Sequence, residues 1–132
     1  MTSLDTNVLV RLLVNDDPGQ ARRAADLLRA GPTWVAKTVL VEVEWVLRGA
    51  YALGRGEIGE ALTRLLDLST LQVEDPRSMR AALAWHAAGM DFADAVHLAS
   101  SRGATGFATF DRALARKARK VLGGDEVAVR VV

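Results

Sequence analysis

Short apolar runs alternate with longer stretches of helical spacing along almost the whole chain, and this alternation restricts the architecture more than any other feature. The runs are the lead up to Leu4, then Thr33 to Ala36, Leu71 to Val73, Gly106 to Phe110 and Val127 to Val132. Between them lie stretches whose apolar residues recur every three or four positions. The first opens at Thr6 or Asn7, either of which can cap it, and places Val8, Leu9, Leu12 and Leu13 on one face. Others run from Gln20 to Ala30 behind Pro18, from Val39 to Leu53, from Glu57 to Leu68, from Asp75-Pro76 to Ala88, from Phe92 to Ser101 behind Asp91, and from Arg112 to Leu122. Gly123-Gly124 reads as the last turn. Strands separated by helices pair in parallel through crossovers, because a hairpin needs its strands adjacent in sequence. The expectation is an α/β fold: a three-layer α/β/α sandwich around a central, mainly parallel sheet of about five short strands, with the first strand in the middle.

Composition narrows the setting. The 132 residues suit one domain spanning 1–132, large enough to bury a core. With no cysteine, disulfides, zinc-thiolate centres and thiol nucleophiles are excluded. No apolar run reaches the roughly 18 to 20 residues that cross a bilayer, and no secretory-type leader precedes the first strand, so a cytoplasmic protein without a membrane partner is expected. The net charge of +1 indicates no general attraction to polyanions. The distribution says more. Most of the seventeen basic residues are Arg, and Arg112, Arg116, Arg119 and Lys120 share a helical face that could track a phosphate backbone. A solvated helix face is the ordinary reading of such a stripe taken alone.

The acids carry the chemistry. Asp5 stands where the first strand meets the first helix, the corner at which open α/β sheets bind ligands. Glu42 has Thr38, Val39, Trp45 and Val46 three and four residues away, so it reads as an acid within an apolar stripe. Burying it would require a cation, a metal or an Arg from another element. Glu44, about 200° around the same helix, can pair with Arg48 and has a surface explanation. Asp94 is the third helical position after Asp91, which alone makes it a capping-box acid, and Asp111 alone reads as an N-cap. Capping does not account for Glu42, however, and two strand ends terminate in Asp. Together Asp5, Glu42, Asp94 and Asp111 are expected to converge on a metal site for cutting nucleic acid.

The pieces Leu4-Asp5-Thr6-Asn7, Glu42 with Trp45, Asp91-Phe92-Ala93-Asp94-Ala95 followed by His97, and Thr109-Phe110-Asp111 resemble the PIN-domain family in order and spacing. Within it, the chain is most similar to the VapC group, the toxin ribonucleases of type II toxin-antitoxin pairs. The resemblance implies Mg²⁺ or Mn²⁺ held by Asp5 and Asp94, with Glu42 and Asp111 completing the site and Asn7 and Thr109 orienting it. It also implies an RNA substrate, a cognate antitoxin protein and a homodimer. Hard, oxygen-seeking ions match an all-carboxylate donor set. A noncatalytic RNA- or protein-binding module of the same fold, or a housekeeping RNA-processing nuclease, are the alternatives. A phosphate-transfer domain of the haloacid-phosphatase type would want an Asp where Asn7 stands. A response-regulator receiver would want an early acidic pair, which is missing.

Overall fold

The computed structural model describes residues 1–123 and 126–132, so Gly124 of the expected final turn lies outside the described residues. The chain divides into two compact units, Met1–Pro76 and Arg77–Val132.

The first unit contains β1 (Thr2–Ser3), α1 (Thr6–Leu13), α2 (Pro18–Ala30), β2 (Thr33–Val35), α3 (Lys37–Gly49), α4 (Arg55–Asp67) and β3 (Leu71–Val73). Its three strands pair in parallel in the order β1-β2-β3, with Thr2 beside Thr33 and Trp34 beside Gln72. In this sheet β2, rather than the expected β1, takes the middle place. The order follows from burial: Thr33 and Val35 are sealed, with the Thr33 hydroxyl donating to the carbonyl of Thr70 at 2.7 Å. Leu9, Val10, Leu40, Val43, Leu47, Ile58, Leu62 and Leu65 form the helical side of this core.

The second unit contains α5 (beginning at the boundary, Pro76–Ala87), α6 (Phe92–Ser100), β4 (Phe107–Thr109), α7 (Arg112–Val121) and β5 (Val129–Val131). β4 and β5 are parallel, with Ala108 beside Arg130. A side chain at Gly106 would meet the carbonyl oxygen of Ala128 at 3.1 Å, so the close approach of the two strands selects glycine there. Gly89, at φ +113, takes the left-handed conformation that closes α5. Met79, Ala82, Met90, Phe92, Ala95, Leu98, Ala99, Ala115 and Ala118 make up the core of this unit. The mixed α/β class and the five short parallel strands among the described residues agree with the sequence expectation, and these strands are divided three and two. No helix among the described residues is long and apolar enough to cross a membrane.

Two departures in α3 have clear causes. The helix starts at Lys37 instead of Val39 because the Glu74 carboxylate, beyond the end of β3, accepts the Lys37 backbone N–H at 2.9 Å. Ala36 has no side chain able to do this. Its buried face is Leu40, Val43, Glu44 and Leu47, which inverts the expected roles of the two glutamates. Glu44 is the buried acid, only 3% exposed, and the Arg48 guanidinium donates to it at 2.8 and 3.3 Å. Glu42 is exposed, with Val39 and Val46 only half-buried. Valines and a tryptophan on two sides of the helix made both faces read as core, and packing used the other one.

The Glu44–Arg48 pair gives the first testable consequence. Arg48→Ala should lower stability in urea unfolding by about 1–3 kcal/mol, since it strands a buried carboxylate. Combining it with Glu44→Leu should recover most of the loss, because no charge is then left to desolvate.

Candidate functional site

Each strand-end acid is held by the helix that it starts. At the end of β1, Leu4 is buried and its N–H donates to the carbonyl of Trp34 at 2.8 Å. The next residue, Asp5, stays extended (φ −95, ψ 175), and its Oδ1 accepts the Asn7 N–H at 2.8 Å. Asp5 is therefore the N-cap of α1, where Thr6 or Asn7 was expected. Asn7 is exposed, its backbone tied to Asp5. A capping carboxylate spends one lone pair on the N–H and keeps the rest of its acceptor capacity, so capping and metal binding are compatible roles for one side chain.

Thr6, the residue after Asp5, engages the second acid. It is 7% exposed, and its Oγ1 donates to Oε1 of Glu42, a residue of α3 thirty-six positions away. The bond fastens the Glu42 carboxylate to the first turn of α1, at the residue that follows Asp5. Thr6 is a residue that sequence reasoning treated only as a possible cap. The available signal was a hydroxyl immediately after a strand-end acid, which is too common to single out. The expectation that Glu42 sits in an apolar stripe is corrected: it lies at the surface, held by a hydroxyl rather than by an Arg.

In the second unit the same construction occurs twice. Asp111 caps α7, its Oδ1 accepting the Leu114 N–H at 2.9 Å. Thr109 Oγ1 accepts the Asp111 N–H at 2.9 Å, so the threonine orients the backbone that carries the acid. Asp91 caps α6 by accepting the Asp94 N–H at 3.1 Å. Asp94 is half-buried in the first turn of α6. Its carboxyl is pushed above the ordinary carboxylate value first by desolvation, then by the negative charges of Asp91 and Asp111, against a smaller opposing influence from His97. Asp94 thus feels the charge of the two capping acids, and all three stand at the positive ends of helix dipoles. His97 is exposed, while His86 is buried edge-on against Phe92 with ring centroids 5.5 Å apart.

The structure therefore ties Glu42 to Thr6, the residue after Asp5, within the first unit and exposes Asp94 to the charges of Asp91 and Asp111 within the second. Among the described residues no group of three or more His, Asp or Glu forms a ready-made ligand cluster. The donors nevertheless suit a hard divalent cation: every candidate is a carboxylate, and a positive charge would offset the repulsion that raises the Asp94 carboxyl. From Asp111 onward, Arg112, Arg116, Arg119 and Lys120 are all exposed along α7.

The family model for the PIN domain matches residues 3–120, a span that contains all of these acids. Comparison with curated proteins gives no match.

Asp94 supplies a pH-dependent test. A carboxyl raised in the folded chain favours the folded state only when protonated, so its ionisation costs stability as pH rises through the raised value. Without metal, Asp94→Asn should melt higher than the parent at neutral pH. The difference should vanish below the ordinary carboxylate value of 3.8, where both states are protonated. Thermal melts in chelator across that range check it.

Proposed function

Because the chain belongs to the PIN domain family, a nuclease-type fold whose members generally depend on divalent metal, we propose that it is a Mg²⁺- or Mn²⁺-dependent endoribonuclease and the toxin of a toxin-antitoxin pair. The whole chain, 1–132, is proposed to act as a single nuclease domain. Asp5, Glu42, Asp94 and Asp111 are its metal-binding and catalytic acids, and Asn7 and Thr109 support them. The observation that carries the reading is the Thr6 hydroxyl bond that fastens Glu42 to the residue following the strand-end Asp5. A lone capping acid would not need a second carboxylate fastened to its neighbour in the chain.

When bound, a divalent ion would supply a lowered water pKa and charge neutralisation at the scissile phosphate. The remaining work falls to the chain. Asp5, Asp94 and Asp111 present carboxylate oxygens not consumed by capping. Glu42 is engaged by Thr6 through Oε1, which leaves Oε2 to accept the proton of the attacking water as the phosphodiester bond breaks. Arg112, Arg116, Arg119 and Lys120 are proposed to hold the RNA backbone by phosphate contacts, which position a strand without reading its sequence. The partners proposed with this function are a cognate antitoxin and a second copy of the chain, acting in the cytoplasm.

The decisive assay is cleavage of a mixed RNA pool with Mg²⁺ or Mn²⁺ and in chelator. Metal-dependent fragments support the reading, and RNA binding without cleavage under any metal condition overturns it in favour of a noncatalytic module. Asp5→Asn should leave the metal-free melting temperature nearly unchanged, since Asn caps as well as Asp. It should reduce cleavage by at least about a hundredfold, beyond the usual cost of losing a group that only supports a ligand. Thr6→Val keeps the buried volume and removes the donor to Glu42, so a loss of roughly 10- to 100-fold in activity is expected. The metal concentration for half-maximal rate should rise with it.

A further inference from the structure

The aromatic side chains of this protein are distributed in a telling way. Phe92 and Trp85 are buried, and Trp34, Tyr51 and Phe107 are half-buried. The two that face solvent are Trp45, 64% exposed, and Phe110, 83% exposed. Each stands next to a different candidate acid. Trp45 lies three residues beyond Glu42 on α3, so the two side chains neighbour each other on one helix face. Phe110 immediately precedes Asp111, between the end of β4 and the start of α7.

Leaving an aromatic ring in water forgoes burial worth about 1.5–3 kcal/mol, and neither ring has a packing reason to be outside. The core of the first unit is filled by aliphatic side chains from α3 and α4, and that of the second by Met, Ala and Leu around Phe92. Phe110 is also followed directly by exposed cations on α7, Arg112, Arg116, Arg119 and Lys120. An aromatic face beside a row of cations is the combination with which proteins hold unpaired nucleic acid: cations follow the phosphates, and rings stack on the bases whatever their identity. A base within a duplex is already stacked on both sides and cannot accept such a ring.

We infer that Trp45 and Phe110 are base-stacking residues, each able to hold an unpaired nucleotide of RNA next to the acid that it neighbours in sequence, Glu42 for Trp45 and Asp111 for Phe110. This rests on the ribonuclease reading for its biological sense, while the binding it describes can be measured without any cleavage. The rings position the strand and take no part in bond breaking.

The test uses the full chain in chelator, where hydrolysis is absent, with a fluorescein-labelled twelve-nucleotide single-stranded RNA of mixed sequence and the same strand annealed to its complement. The wild type should bind the single strand more tightly than the duplex. Trp45→Ala and Phe110→Ala should each weaken single-strand binding roughly 5- to 150-fold, the effect of losing one base–aromatic stack. Duplex binding and the salt dependence should stay unchanged, because phosphate contacts are untouched. Trp45→Phe and Phe110→Tyr should restore most of the affinity. Circular dichroism melts confirm that the variants fold, as expected for rings so exposed.

Absence of single-strand binding by the wild type, or Ala variants that bind as it does, overturns the inference. So does a change of sedimentation coefficient in the Ala variants with unaltered RNA affinity, which would assign the rings to a protein–protein surface. If the variants lose binding but no RNA pool is cut with Mg²⁺ or Mn²⁺, stacking stands and the nuclease reading fails. If RNA is cut normally by both Ala variants with unchanged KM, the nuclease stands and stacking fails.

Discussion

A carboxylate placed at the mouth of a helix satisfies backbone N–H groups that otherwise have no partner, and this interaction organises the parts of the protein that matter most. It recurs at Asp5, Asp91 and Asp111, which accept N–H groups of Asn7, Asp94 and Leu114. Each bond fixes the rotamer of an acid at an exposed corner, where an unrestrained Asp side chain would sample several. The helix dipole further eases the presence of negative charge there. Capping therefore fixes the direction of these acids with free energy that also stabilises the fold.

The same economy appears in how distant residues reach these corners. Thr6 spends its hydroxyl on Glu42, and Glu74 spends its carboxylate on the first N–H of α3. Both bonds join residues more than thirty positions apart and act on helix α3, one near each end of its first two turns. The position of Glu42 is thereby set from two sides, through the helix start and through its own carboxylate. Electrostatic cost accumulates in the other acidic group, where Asp91 and Asp111 oppose the ionisation of half-buried Asp94. A cation is the natural complement of that arrangement, and the PIN domain family generally uses one.

Much of the architecture was legible without coordinates. Strand segments bounded by helical spacing, Pro18 and Pro76 at helix starts, and glycines at helix ends identified nearly every element to within a few residues. Periodicity failed where a helix carries apolar residues on more than one face. In α3, Val39, Val41, Val46 and Trp45 surround Glu42 and Glu44 alike, and local spacing cannot say which side meets the core. Helix boundaries failed where the capping group comes from elsewhere in the chain, as Glu74 does for Lys37.

What the sequence alone determined is the parallel α/β class and the acids at the strand ends and helix starts, Asp5, Asp91 and Asp111, because both depend on local properties: residue periodicity, and which oxygen-bearing side chains close a strand or open a helix. Tertiary packing decided which glutamate of α3 is buried, that Thr6 rather than an arginine holds Glu42, and that Trp45 and Phe110 remain in solvent. These outcomes follow from the competition among several helix faces for one limited interior, and from hydrogen bonds between segments far apart in the chain, neither of which leaves a trace in neighbouring residues.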